Sequence, residues 1–136
     1  MIDKSKTVNL FNDMGYYYGK VKAYQLAIIH LEKALKFDDK HPCSLNNLGF
    51  ILAQIGQYDL GLKLINKSLK LNSSNSYAFK NRAKILISKG QFNKAKDDLL
   101  KAKKLEYHLL YDNEVDILLN QLNRIRLNQC SIVLGI

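Results

Sequence analysis

Asp38-Asp39 and Asp97-Asp98 are the residues closest in type to a general acid–base apparatus. Such chemistry needs two carboxyls facing one space. Neighbours on a helix point to different sides, so neither pair meets that need. Cys43 and Cys130 lie far apart in the chain and form no metal-ligand pair. His30, His41 and His108 have no partner at the spacing of a metal-binding helix or finger. Free thiols in a reducing compartment follow. No nucleophile elbow and no glycine-rich phosphate loop occurs. Asn66-Lys67-Ser68 and Asn72-Ser73-Ser74 match the glycosylation triplet only by chance in a chain read as cytoplasmic. No enzymatic activity, no metal and no cofactor is therefore expected. Binding is the chemistry left to explain.

Binding surfaces must be positioned by elements, and composition bounds what those elements are. The 136 residues are 47% hydrophobic and 24% charged, which suits one domain with a core and excludes wholesale disorder. One proline and seven glycines argue against turn-rich all-β or collagen-like folds. No apolar run approaches the ~18 residues of a membrane span, and no membrane association is expected. Met1 to Lys6 lacks the apolar core of a secretory signal, so a cytoplasmic location is expected. The net charge is +9, and residues 69–136 contribute +6 of it. That balance favours an acidic partner.

Offset by 34, the chain aligns with itself over residues 8–41, 42–75 and 76–109. Small residues recur at Gly15, Gly49 and Ala83, and again at Ala27, Gly61 and Ala95. An aromatic recurs at Tyr24, Tyr58 and Phe92, and a bulky aliphatic at Leu31, Ile65 and Leu99. Ala34, Ser68 and Ala102 form another column, followed by Phe37, Leu71 and Leu105. Gly56-Gln57 matches Gly90-Gln91, where the first unit has Lys22-Ala23. Each unit predicts two helices. Phe11, Met14, Gly15 and Tyr18 share one helical face, as do Leu45, Leu48, Gly49 and Leu52. In the third unit Arg82 interrupts the stripe of Phe79, Ala83 and Leu86. Pro42 suits a first helical position, and the segment from Asn72 to Asn75 suits a turn and an N-cap.

This helix–turn–helix period, with these small and aromatic columns, resembles the tetratricopeptide repeat over residues 8–109. The departures are Arg82 and the survival of the inter-unit proline only at Pro42. The resemblance implies an all-α, right-handed superhelix of three antiparallel helix pairs. Residues 1–7 are then an N-terminal extension. Val115, Leu118, Leu119, Leu122 and Ile125 predict a capping helix within 110–128, its polar side formed by Asp116, Asn120, Gln121, Asn123 and Arg124. The apolar tail 129–136 either packs back on the domain or joins a partner.

Stacked helix pairs curve, with first helices lining the concave side. Once the packing stripe is removed, the face left in unit one is Asn9, Asn12, Tyr16 and Lys20. In unit two it is Cys43, Asn46, Phe50 and Gln54, and in unit three Tyr77, Lys80, Lys84 and Ser88. The resemblance implies that these places contact peptides. Tyr16, Phe50 and Tyr77 are candidate aromatic anchors. Asn12, Asn46 and Gln54 can donate to and accept from a peptide backbone, and Lys80 and Lys84 favour an acidic end. One branch of the family grips a heat-shock chaperone's terminal carboxylate with two Lys, two Asn and an Arg. Here those places fall on Asn12, Tyr16, Asn47, Tyr77 and Asn81, so chaperone-tail recognition is not expected.

Lysines also recur with the period: Lys33, Lys67 and Lys101, then Lys36, Lys70 and Lys104. Late in the second helices, they favour the helix macrodipole on a solvated face. Read functionally, they form a secondary basic stripe for an acidic protein surface or a nucleic-acid backbone. Only three Arg and no RNA-reading motif are present, so base-specific recognition has no support. The sequence thus predicts a non-catalytic scaffold or adaptor that binds an acidic protein or peptide segment in a concave groove. The alternative is a dedicated neutraliser or chaperone of a single partner, of the immunity or secretion-chaperone kind. The sequence names neither the partner nor an oligomeric state.

Overall fold

The 34-residue period dictates where helices start, turn and stop. In the computed structural model, which describes residues 3–135, every regular element is α-helical. The helices are α1 (Lys4–Lys20), α2 (Tyr24–Phe37), α3 (Pro42–Gln54), α4 (Tyr58–Leu71), α5 (Ser76–Ser88), α6 (Phe92–Lys104), α7 (Tyr107–Leu110) and α8 (Glu114–Leu134). They form two compact units, one closing at Ser74 and the other opening at Asn75.

Local chemistry explains the boundaries. The Asp3 carboxylate accepts from the backbone N–H groups of Ser5 and Lys6 and caps α1. His41 Nδ1 accepts from Ser44 N at 3.3 Å, with Pro42 at the first turn of α3. Asn75 Oδ1 accepts from Ala78 N at 3.1 Å and caps α5. The turn inside each pair reverses through a left-handed residue. Gly56 has φ 93° and Gly90 has φ 74°, and Lys22 holds the same column at φ 61°. A side chain there costs ~1–2 kcal/mol that glycine avoids.

In the first unit the small columns let backbones touch. A Cβ on Gly49 of α3 would stand 2.6 Å from the Gly61 carbonyl oxygen and 2.8 Å from Ile65 Cγ1 of α4. Ala27, Leu31, Leu48, Ile51 and Leu52 make a buried cluster that joins the first pair to the second, with Tyr18, Tyr24, Ile28, Leu35 and Leu64 packed around it. The Ser68 hydroxyl, fully buried, donates to the Pro42 carbonyl at 2.7 Å. This explains why a serine sits in an otherwise alanine column.

In the second unit Arg82 does not break the packing stripe but converts it. Its guanidinium makes two hydrogen bonds to the Asp98 carboxylate, both at 2.7 Å, with the Asp98 side chain 5% exposed. In the second repeat the same two columns hold Leu48 and Leu64. The α8 helix packs on α6 through buried Val115, Leu119 and Leu122, and Asp116 meets Lys103 at 2.9 Å. The segment read as a tail continues this helix through Leu134, with Ile132 exposed. The side chains of Val133, Leu134 and Ile136 lie outside the described residues.

Two stability outcomes follow. Arg82→Leu strands the Asp98 carboxylate and should cost about 3 kcal/mol in urea unfolding, while Arg82→Leu with Asp98→Leu should recover most of it. Lys22→Gly should raise stability by about 0.5–1 kcal/mol, the relieved strain less the added unfolded-chain entropy.

Candidate functional site

The first helix of each repeat keeps one face outside the packing stripe, and the first unit shows what remains there. On α1, Asn9 is exposed and borders an open hollow of about 460 Å³ with Val8, Asp38 and His41. Asn12 is committed to the fold. Its Oδ1 accepts from the Ser44 hydroxyl at 3.1 Å and from Asn47 Nδ2 at 3.0 Å. Ser44 Oγ also lies 2.8 Å from His41 Nδ1, so a polar chain links α1 to the start of α3. Asn46 is buried, at 2% exposure. Tyr16 and Phe50 are half-buried, which leaves part of each ring at the surface. Lys20 lies 5.3 Å from the Tyr16 ring centroid, and Tyr17 packs edge-on against the same ring. Lys20 and Gln54 are exposed. Cys43 is exposed, yet partial desolvation of its sulfur and the nearby Asp13 charge hold the thiol above its ordinary value, so it is not a reactive thiolate.

The second unit answers differently. Lys80 is 2% exposed. Its ammonium donates to Glu114 Oε2 at 3.0 Å and lies 4.0 Å from the centre of the Tyr77 ring. Lys84 donates to the other oxygen, Oε1, at 2.6 Å. Tyr77, Tyr107 and Tyr111 cluster with centroid separations of 5.0–6.2 Å. Tyr107 is fully buried, and burial, with Asp112 and Glu114 beside it, raises its hydroxyl's pKa and keeps it a neutral phenol. Ser88 is exposed and donates to the Lys84 carbonyl at 3.2 Å. Burial alone would raise the Glu114 carboxyl. The Lys84 hydrogen bond and the Lys80 charge outweigh it and hold the group below its ordinary value.

Sequence reasoning missed Glu114, Tyr107 and Tyr111. The signal for two of them was the period itself. One more step of 34 places Tyr111 beneath Tyr77 and Glu114 beneath Lys80. The start of α8 therefore presents first-helix face positions, although it lacks the small-residue columns.

Part of the first lysine column meets local partners. Lys33 reaches 5.6 Å from the Phe11 ring, and Lys101 reaches 5.6 Å from the Phe79 ring, the same pair two repeats apart. Leu45 replaces the aromatic in the second repeat, and there Lys67 turns to the Asp39 carbonyl at 3.5 Å. Lys36, Lys70 and Lys104 are exposed. Among the described residues no group of three His, Cys, Asp or Glu side chains is placed to hold a metal ion, and no helix is long and apolar enough to cross a membrane.

A tetratricopeptide repeat model matches residues 8–41, 44–75 and 79–108. The chain belongs to the tetratricopeptide repeat family. No curated protein sequence matches it. Among solved structures it is similar to the first TPR of Spaghetti (RPAP3) bound to the HSP90 peptide SRMEEVD. The TM-score is 0.75 at 20% identity, over 91% of this chain and 95% of that one. The second TPR domain of human RPAP3, in complex with the HSP70 peptide SGPTIEEVD, gives 0.71 at 21%, over 89% and 98%. The Yersinia enterocolitica type III secretion chaperone SycD, in complex with a peptide of the translocator YopD, gives 0.71 at 18%, over 89% and 95%. At such identities the likeness establishes the tetratricopeptide fold alone.

Two outcomes test this geometry. Asn12→Ala leaves the Ser44 and Asn47 donors without their acceptor and should cost about 1–3 kcal/mol in chemical unfolding. The Glu114 carboxyl titrates lower in the folded state than in the unfolded one. Its contribution is therefore in place above its ordinary value of 4.5 and lost as pH falls through the depressed one. The stability gap between the native protein and Glu114→Gln should stay constant near neutrality and close in acid.

Proposed function

We propose that this chain is a non-catalytic protein-interaction module, a scaffold or adaptor whose repeats hold a peptide segment of a partner against their first helices. The observation that carries this reading is the α1–α3 face of the first unit. Tyr16 and Phe50 fill no sealed core position, and exposed Lys20 and Gln54 accompany them. Half-exposed rings give a peptide apolar area at little entropic cost, and an amide and an ammonium supply hydrogen bonds along its backbone. The net charge of +9 favours an acidic segment. The peptides held by the similar repeat domains, two of which end in Glu-Glu-Val-Asp, support a ligand of this class. Both cysteines are free and exposed, which suits work in the reducing cytoplasm.

The test is a peptide array with varied acidic and apolar content, probed with native protein and with a Tyr16→Ala, Phe50→Ala double variant. Binding to the preferred sequences should fall at least thirtyfold, on the order of 2 kcal/mol or more for the anchors together. The helical circular-dichroism signal should not change. Equal binding by a folded double variant refutes the reading.

A further inference from the structure

The second unit contains a finished receptor for one carboxylate. Lys80 and Lys84 stand one turn apart on α5 and take the two oxygens of a single carboxyl group, at 3.0 and 2.6 Å. The Lys80 ammonium lies over the Tyr77 ring and is almost wholly removed from water. Removing a cation from water this way is costly, and a close anion must offset the loss of hydration. That anion is the chain's own Glu114.

The receiver and its occupant are held very differently. Lys80 and Lys84 sit mid-way along a regular 13-residue helix. Glu114 opens α8, where Asn113 makes no side-chain capping bond and the Glu114 backbone N–H instead donates to Asp112 Oδ1 at 2.8 Å. It is delivered by the stretch that follows α6. Glu106 there takes left-handed φ 60°, and α7 is four residues long. Leu109, Leu110 and Tyr111 are exposed at 69%, 65% and 53%. Beyond the buried Tyr107 this short segment faces water, so it opens at less than the global cost of unfolding. A path from solvent is already present, because the side chains of Lys84 and Glu114 are 33% and 31% exposed.

We infer that Lys80 and Lys84 form a binding site for a partner's peptide carboxylate, and that Glu114 is an internal stand-in which the partner's carboxylate replaces. The inference rests on the peptide-binding reading above and gives it a chemical class, an acidic residue or a chain end bearing a free carboxylate. Replacement exchanges one carboxylate for another on the same two ammonium groups, so Lys80 keeps an anion throughout. The Tyr77 and Tyr111 rings, backed by the buried Tyr107, offer the neighbouring ligand residue an aromatic wall. An occupant tied to the same chain lowers apparent affinity by the fraction of time it holds the site. Glu114 therefore sets a threshold that only a well-matched acidic partner passes.

Two probes test this, acetate and fluorescein-labelled tetraglutamate, the latter as free acid and as C-terminal amide. Glu114→Ala vacates a space of acetate size. Its melting temperature should rise in sodium acetate over sodium chloride of equal ionic strength, and adding Lys84→Ala should abolish the rise. The native protein should show no such difference. Glu114→Gln keeps the shape and loses the charge, and it should bind tetraglutamate about tenfold tighter than native protein. Lys84→Ala, in a chain that retains Glu114, should weaken tetraglutamate at least threefold, which keeps the test valid if Glu114→Ala does not fold. Loss of the gain with the amide assigns the site to a chain end, and its retention assigns it to an acidic side chain. An acetate response equal to native in a folded Glu114→Ala, no gain in Glu114→Gln, or no loss in Lys84→Ala overturns the inference. The Tyr16→Ala, Phe50→Ala variant should keep the gain from Glu114→Gln, so failure of the first-unit reading is seen separately.

Discussion

Each repeat depends on two helices approaching until their backbones nearly touch. Gly49 and Gly61 face each other so closely that a methyl group on either would meet the other's carbonyl. The same columns hold Gly15 with Ala27 and Ala83 with Ala95, all buried. This constraint fixes the rotation of the first helix about its axis. Once that rotation is fixed, the stripe that packs and the face that does not are both determined. The proposed binding residues are those the close approach leaves over.

The leftover face is not all free surface, because part of it joins one first helix to the next. The two units solve this with different chemistry in equivalent columns. Asn12 accepts from Ser44 and Asn47, a neutral network. Lys80, two periods later, meets Glu114, and Lys84 joins the same carboxylate. A neutral network is satisfied by its own geometry. A buried ammonium needs a charge from elsewhere, and here that charge comes from the segment before α8. The junction in the second unit is accordingly sensitive to pH.

The helix pairs were legible because small and bulky columns repeat three times, and a constraint on backbone approach leaves its mark in every copy. Aromatic Tyr16 and Phe50 were legible as leftovers of that pattern, and the structure leaves them half-buried. The fates of Asn46 and Lys80 were not, since both project from the expected face yet are almost fully buried. Burial of a polar residue depends on what a distant segment lays over it, and helical spacing carries no such information. Glu114 was hidden for a related reason. It belongs to a helix without the small columns, so the period seemed to end before it. Arg82 looked like a flaw because its partner lies 16 residues away in a different column, and only the pair, not either residue, substitutes for two leucines.

The lysine columns show how packing within a repeat gives a charge the period of the repeat. Lys33 and Lys101 each lie against the aromatic ring of their own repeat's first helix. Such an ammonium–ring contact contributes locally, about 0.5–1 kcal/mol at an exposed site. Periodicity alone is thus weak evidence for a ligand, since packing inside each repeat has the same period. Lys80 and Lys84 break the pattern, for their columns hold asparagine and an aromatic in the first two repeats. A charge that departs from the period calls for a cause outside the repeat. The structure supplies one in Glu114, and a partner carboxylate is chemically the same cause.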